Sequence, residues 1–295
     1  MAPHSLKGYL VQDKIKDGSV GTVWRATNSR GQDFALKQIS LPNARVGAKL
    51  RQFKKEATLT HELKHSNIIK VYEYVDAPPQ PFFIMEYFDS ENLKWAMAQL
   101  PDRVHKREFQ ILMAIADALA FVHSKGIVHK DIKPENVLVS ANSDVRLIDF
   151  SLASTKWDRM LQFGRKVEGT PMYMSPEQIQ GGKCDPRTDI YSFGVLMYEL
   201  MTKRPPFMAT DPQKLLEKHC KERPAPMSTI VPTVAPDLDK LVLRLLAKKP
   251  ENRLPDMASV MQELARWIKQ PTVLRLRQIQ PGALQHGAEI ASSTA

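Results

Sequence analysis

Short runs of β-branched and aromatic residues open the chain. Tyr9 to Ile15, Thr22 to Thr27 and Asp33 to Ile39 are bounded by the turn signals Asp17-Gly18 and Asn28-Ser-Arg-Gly31, and read as strands. Asn43 to Lys64 changes to helical character and is rich in Lys and Arg. Ile68 to Tyr74 and Phe82 to Tyr87 are strand-like again, separated by the proline-rich turn Ala77 to Pro81. After Phe88 the period changes. Ile111, Leu112, Ile115, Ala116, Leu119 and Val122 recur at helical spacing and predict a helix over Arg107 to Ser124. Ile190 to Met201 is apolar on nearly every side, the pattern of a helix buried all round. Leu238, Leu241, Val242, Leu245 and Leu246 form one further stripe. Met257, Val260, Met261, Leu264 and Ile268 form another, with Asp256 placed to cap it.

This pattern predicts a small β-rich part followed by a larger helical part, with a ligand expected in the cleft between them. Beyond Gln270 the periodicity is lost among small and polar residues, and a mobile tail is expected. Composition narrows the class. The 295 residues are 43% hydrophobic and 25% charged, ordinary globular usage that excludes wholesale disorder. The longest mainly apolar stretch, Ile111 to Val122, is interrupted by Asp117 and falls short of the about 18 residues a membrane helix needs. Met1 to Gly8 has no signal-peptide core. Cys184 and Cys220 make no disulfide framework and no CxxC pair, so reduced thiols in a cytoplasmic protein are expected. Lys and Arg number 42 against 32 Asp and Glu, a net charge of +10. That excess points to anionic partners without choosing among nucleic acid, lipid headgroups and phosphorylated ligands.

Candidate chemistry assigns a few of these cations, chiefly Lys37 and Lys133, and leaves the partner of the rest open. The loop Ile15-Lys-Asp-Gly18-Ser-Val-Gly21-Thr-Val23 places two glycines between strands, where backbone N–H groups can approach a phosphate; a plain hairpin turn is the other reading of the same residues. Phe34-Ala-Leu-Lys37 puts a lysine on the third strand, and Glu56 on the following helix is placed to pair with it and aim its ammonium. The strongest signal is His129-Lys-Asp131-Ile-Lys133-Pro-Glu-Asn136, followed by Leu147-Ile-Asp149-Phe150-Ser151. Asp131 can accept a proton from an attacking hydroxyl, and Lys133 can neutralise charge on a transferring group. Asn136 and Asp149 are hard oxygen donors suited to Mg²⁺, which brings phosphates with it. In this order, after a glycine loop and a strand lysine, the set is a phosphoryl-transfer constellation.

These residues resemble the protein kinases of the eukaryotic-like serine/threonine type, from about Tyr9 to Ile268. Met174-Ser-Pro176-Glu177 resembles the family's Ala-Pro-Glu motif, Asp189 to Gly194 matches its buried helix, and Arg253 stands where the family pairs an arginine with the glutamate matching Glu177. The resemblance implies an α+β, two-lobed fold: a small antiparallel β-sheet lobe with one regulatory helix (9–88, binding ATP), a larger mainly helical lobe (89–270, with catalytic and activation segments), and a flexible tail (271–295). It implies ATP under the glycine loop, enclosed by Ile15, Gly18, Gly21, Val23 and Ala35, with Met85 as gatekeeper and backbone from Glu86 to Phe88 holding the adenine. Lys37, positioned by Glu56, then holds the α- and β-phosphates; Asp131 is the base, with Lys133 beside it, and Asn136 and Asp149 hold the metals. Lys133 and Gly169-Thr170-Pro171 resemble serine/threonine rather than tyrosine kinases. Protein substrates bearing Ser or Thr are therefore the implied partners, and nucleic acid is not needed to account for the charge. The oligomeric state is left open.

The sequence departs from the family pattern at Lys16 (first loop glycine), Lys130 (the arginine before the catalytic aspartate) and Ser151 (the glycine after Asp149-Phe150). None removes a proton or metal ligand. Between Thr155 and Thr170 there is no Ser or Thr to accept a phosphate, so activity without phosphorylation of this loop is expected, with Glu168 a candidate partner for Lys130. Glu135 and Glu199 match positions that read basic residues in some family members, against the plainer reading of solvated glutamates. Arg45, Lys49, Arg51, Lys54 and Lys55 give the regulatory helix a basic face, solvated or docking an acidic partner. Two other functions are consistent with the sequence: a pseudokinase scaffold that keeps the fold without efficient catalysis, and a small-molecule phosphotransferase.

Overall fold

Successive side chains of a strand point to opposite faces of its sheet, and in the first part of the chain each face carries its own apolar cluster. The computed structural model describes residues 4–18, 20–40, 46–76, 80–155, 158 and 169–268. Its strands are β1 (His4–Leu6), β2 (Tyr9–Asp17), β3 (Gly21–Thr27), β4 (Asp33–Ile39), β5 (Val71–Val75) and β6 (Phe82–Glu86). They form an antiparallel six-stranded sheet in the order β1-β2-β3-β4-β6-β5. Cross-strand register pairs Val23 with Lys37 and Lys37 with Phe83, and Ala35 with Met85. Because side chains alternate along a strand, Val23, Ala35, Lys37, Phe83 and Met85 share one sheet face. Helix α1 (Val46–Glu62) packs its Phe53 and Ala57 on that face, against Ile39, Val71 and Phe83. The opposite face buries Val11, Ala26, Leu36, Phe82 and Ile84 in a separate cluster.

The second part begins with β7 (Glu91–Asn92), α2 (Leu93–Gln99), α3 (Pro101–His105) and α4 (Glu108–Ser124), followed by β8 (Val137–Val139) and β9 (Val145–Leu147). β7, β8 and β9 make a three-stranded sheet. Then come α5 (Pro176–Ile179), α6 (Pro186–Thr202), α7 (Pro212–Lys221), α8 (Pro236–Leu245) and α9 (Met257–Ile268). Every residue of α6 from Thr188 to Thr202 is buried, in keeping with the apolar run from Ile190 to Met201, and the polar Asp189, Ser192 and Glu199 are buried with it. Asp185 caps its start in a capping box with Thr188, and Pro186 takes the first turn, where its missing N–H costs nothing. Asp256 receives the Ser259 N–H at 2.8 Å at the head of α9, as its position in the sequence suggested. One core cluster joins α4, α6, α8 and α9. Among the described residues no helix is long and apolar enough to cross a membrane. The antiparallel sheet with one helix, followed by a mainly helical part, is the α+β two-lobed architecture the resemblance implied.

Some boundaries move. The strand expected from Ile68 starts at Val71, because Ile68 forms a lone parallel bridge to Leu147 and the Ile69 N–H bonds the Leu147 carbonyl at 3.1 Å. The two parts are stitched together there. The α1 range begins inside the expected Asn43 to Lys64; residues 43–45, residues 77–79 of the proline-rich turn and the tail 271–295 lie outside the described residues. β1, the short strands β7 to β9 and helices α2, α3, α5 and α7 are additions to the sequence reading.

Candidate active site

The glycine loop is drawn first by sheet geometry. A Cβ at Gly21 would lie 2.2 Å from the Gln38 carbonyl oxygen, so only glycine permits β3 to pair with β4 there. The Gly18 N–H donates to the Gly21 carbonyl at 2.8 Å, closing a hairpin turn. The Gly18 amide is thus engaged within the loop. Ile15 and Lys16 are exposed on β2, and the lysine at the first glycine position pairs across the strands with Val23.

On the sheet face below, Lys37 Nζ meets Glu56 Oε1 at 2.6 Å, with both side chains largely buried. Burial opposes the lysine charge, but the Glu56 and Asp149 carboxylates outweigh it and hold the Lys37 pKa above its ordinary value. The expected strand–helix pair is formed. Its ammonium also lies 5.6 Å from the Phe83 ring centroid.

The loop from His129 to Asn136 is held from beneath by Asp189 of α6. Its carboxylate accepts the His129 and Lys130 N–H groups, each at 2.8 Å, and pairs with His123 Nε2 at 2.8 Å. Gln178 Nε2 donates to the Lys130 carbonyl at 2.9 Å. Above this platform, Asp131 accepts Lys133 Nζ at 2.6 Å, Asn136 Nδ2 at 3.0 Å and the Thr170 hydroxyl at 3.1 Å, while Lys133 Nζ also donates to Thr170 Oγ1 at 2.7 Å. Asn136 spends its amide nitrogen on Asp131, donating to both its backbone carbonyl and its carboxylate.

Asp149 takes a left-handed backbone, φ 65°, and its carboxylate accepts the Ser151 N–H at 3.3 Å. Burial pushes its pKa up, but Lys37, Ser151 and His129 prevail and hold it below the ordinary carboxylate value, so Asp149 is an anion. The donor set fits Mg²⁺ of the kind that arrives with phosphate: a carboxylate and an amide oxygen, leaving the remaining positions to phosphate oxygens and water. Among the described residues no group of three or more His, Cys, Asp or Glu is placed to hold a metal ion.

At the far end of the sheet face, Met85 and Glu86 end β6, and Phe88 follows. Several groups at the site carried no legible role in the sequence reading: Thr170 as a partner of Asp131, Gln178 under Lys130, and Lys55. Lys55 Nζ meets Asp158 Oδ2 at 2.7 Å, and Asp158 also accepts the Thr155 N–H and hydroxyl at 2.9 and 3.0 Å. A lone acid in a polar loop gives no sequence signal for such a contact. One turn earlier on α1, Gln52 Nε2 donates to the Ser151 carbonyl at 3.2 Å. Residues 156, 157 and 159–168, with the suggested partner Glu168, lie outside the described residues.

Two readings of charged residues change. Glu199 is not a solvated glutamate: it is buried and binds Lys94 and the Tyr173 hydroxyl. Lys55 leaves the basic face of α1 to join Asp158, while Arg51 and Lys54 remain exposed. Arg253 meets Glu177 through two bonds of 2.7 and 2.8 Å, the pairing the resemblance implied.

A profile of the protein kinase domain matches residues 9–266. The chain is 35% identical over 259 residues to a protein of Streptomyces coelicolor named as a probable serine/threonine-protein kinase, covering 85% of this chain and 38% of that protein. It is 33% identical over 270 residues to the serine/threonine-protein kinase PknB of Mycobacterium leprae, covering 90% and 43%. With PknB of Mycobacterium tuberculosis the identity is 34% over 270 residues, covering 89% and 43%. The chain spans about two fifths of the length of these curated relatives.

Proposed function

We propose, from the premise that the chain belongs to the protein kinase domain family, that it transfers the γ-phosphoryl group of ATP to Ser and Thr hydroxyls of proteins. One observation carries the reading: the Lys37–Glu56 pair is closed at 2.6 Å in the same conformation that fixes Asp131 against Lys133, Asn136 and Thr170. Asp131 already accepts one hydroxyl, that of Thr170, and is the base for the incoming one. Lys133, charged beside it, counters negative charge where the phosphoryl group passes. Lys37 holds phosphate from the sheet side, and Glu56 keeps it aimed. Asp149 and Asn136 are the residues that would hold Mg²⁺, which would offset the negative charge developing on the transferring phosphoryl group. Ile15, Val23, Ala35 and Met85 enclose the adenine, with backbone of Glu86 to Phe88 along its edge. In this reading residues 9–88 form the nucleotide lobe and 89–270 the catalytic lobe.

The pseudokinase alternative is not favoured, since Lys37, Asp131, Asn136 and Asp149 are all present and Ser151 supports Asp149 through its N–H. Substrate preference for a basic residue rests on Glu135 alone, whose Oε2 is buried without a hydrogen-bond partner among the described residues, because Glu199 is committed elsewhere. A cytoplasmic setting follows from the need for ATP and is consistent with two free cysteines. Incubation with γ-labelled ATP, Mg²⁺ and a generic basic protein tests the assignment. Label should enter protein with the native chain and fall by at least about 100-fold with Asp131→Asn or Lys37→Met. Equal labelling by native chain and both variants, or none by any, would end the reading.

A further inference from the structure

The two ends of the nucleotide site are joined by one guanidinium. Arg146 sits on β9, three positions before Asp149. Its Nε bonds both carboxylate oxygens of Glu86, at 3.1 and 3.2 Å, and its Nη2 bonds Oε1 at 3.0 Å. The same guanidinium lies over the Phe88 ring, 4.5 Å from its centroid. Nη1 reaches the Val145 carbonyl at 3.1 Å, which anchors the group to its own strand. Arg146 thus grips the residues on either side of Tyr87, one by a charge-assisted fork and the other by stacking.

That strand is itself rigidly placed. β9 pairs with β8, the Leu147 N–H bonds the Asn67 carbonyl at 2.7 Å, and Leu147 bridges to Ile68. Glu86 is tied from the other side, where its N–H donates to the Lys70 carbonyl at 2.8 Å. Arg146 and Glu86 are each about one-fifth exposed, so the pair is shielded from full solvent screening without being sealed.

We infer that Arg146 is a positioning residue for the adenine end of the site, fixing the backbone of residues 86–88 in register with the strand that delivers Asp149. The inference rests on the kinase reading above. Arg146 touches neither phosphate nor the attacked hydroxyl in that reading, so its effect is on nucleotide affinity. A lysine at 146 keeps the charge but loses the planar fork and most of the stacking.

The test is the dissociation constant for ATP with Mg²⁺, read by displacement of a fluorescent ADP analogue, together with kcat and KM for ATP. For Arg146→Met, both the dissociation constant and KM should rise about 5- to 10-fold while kcat at saturating ATP stays within about twofold. Arg146→Lys should fall between, and Arg146→Met combined with Glu86→Gln should be no weaker than the worse single variant, since both remove one contact. If Arg146→Met binds ATP within about twofold of the native chain, whatever its melting temperature, the inference is wrong and Arg146 serves stability alone. If Arg146→Met does not fold, Arg146→Lys decides: weaker ATP binding supports positioning, and unchanged binding overturns it. Failure of the native chain to bind ATP would remove the kinase reading and this inference with it.

Discussion

Lys130, which precedes Asp131, and Asp149 both hold a positive φ, 68° and 65°. For residues with a Cβ this conformation costs about 1 kcal/mol each and persists only where surroundings impose it. At Lys130 the imposing group is Asp189, whose carboxylate takes the N–H of residues 129 and 130 at 2.8 Å each. Burial alone would raise the Asp189 pKa; His123 and His129 reverse this and keep it below its ordinary value. Asp189→Asn keeps the volume but turns an anion with strong acceptors into an amide, one half of which is a donor facing donors. A loss of about 3 kcal/mol is expected in urea unfolding, with kcat falling more steeply than KM for ATP as the Asp131 loop relaxes. A loss under about 1 kcal/mol would show that the loop holds its shape without Asp189. In the sequence this residue was visible as an acid at the head of an apolar helix, while its partners, 59 and 60 positions away along the chain, were not.

At the scale of the element, α1 is fastened to the segment following Asp149 at two points on one face. Gln52 reaches the Ser151 carbonyl at 3.2 Å and Lys55 reaches Asp158 at 2.7 Å, both within the turn that leads to Glu56, the partner of Lys37. A carboxylate fixed by Thr155 therefore holds the helix where the sequence offers no Ser or Thr between Thr155 and Thr170 to be phosphorylated. Phosphatase treatment of the purified protein should leave its activity unchanged. Asp158→Asn and Gln52→Ala together should lower kcat by about 5- to 10-fold as the Lys37–Glu56 pair opens more often. Activity lost on phosphatase treatment, or a double variant as fast as the native chain, would refute the tether. The long helices were legible because their apolar content runs far enough to read, as a period in Glu108–Ser124 and as an almost all-round apolar stretch in Pro186–Thr202. Three-residue strands such as Val145–Leu147 carry too few alternations to show one, and α1's contacts with the loop are side-chain events that no period encodes.

Across the whole molecule, motif order revealed the site more fully than periodicity revealed the fold, because residues of fixed chemistry at fixed spacing constrain one another even when their elements are short. What remained hidden were the tertiary ties beneath the site, and one of them makes stability depend on pH. His219 of α7 is fully buried, its Nδ1 3.0 Å from the Tyr191 hydroxyl and its ring 5.0 Å from that of Phe207. Burial and the nearby Lys248 ammonium push its pKa down to about 4, only partly opposed by the Met172 backbone. Lys248, itself lowered to about 8 mainly by burial, stays charged throughout acid conditions, so its repulsion of a protonated His219 is constant there. An unfolded histidine titrates near 6.5, so above that pH both states are neutral and the stabilisation is complete. As pH falls from 6.5 toward 4 the unfolded state binds the proton first, and stability falls with it. The interval between these values corresponds to on the order of 3 kcal/mol. His219→Asn retains a polar partner for Tyr191 and removes the titration. Its urea midpoint, measured in steps across this window, should lie below the native value at neutral pH and decline less on acidification. Parallel profiles for the two proteins would show that the proton is taken up elsewhere.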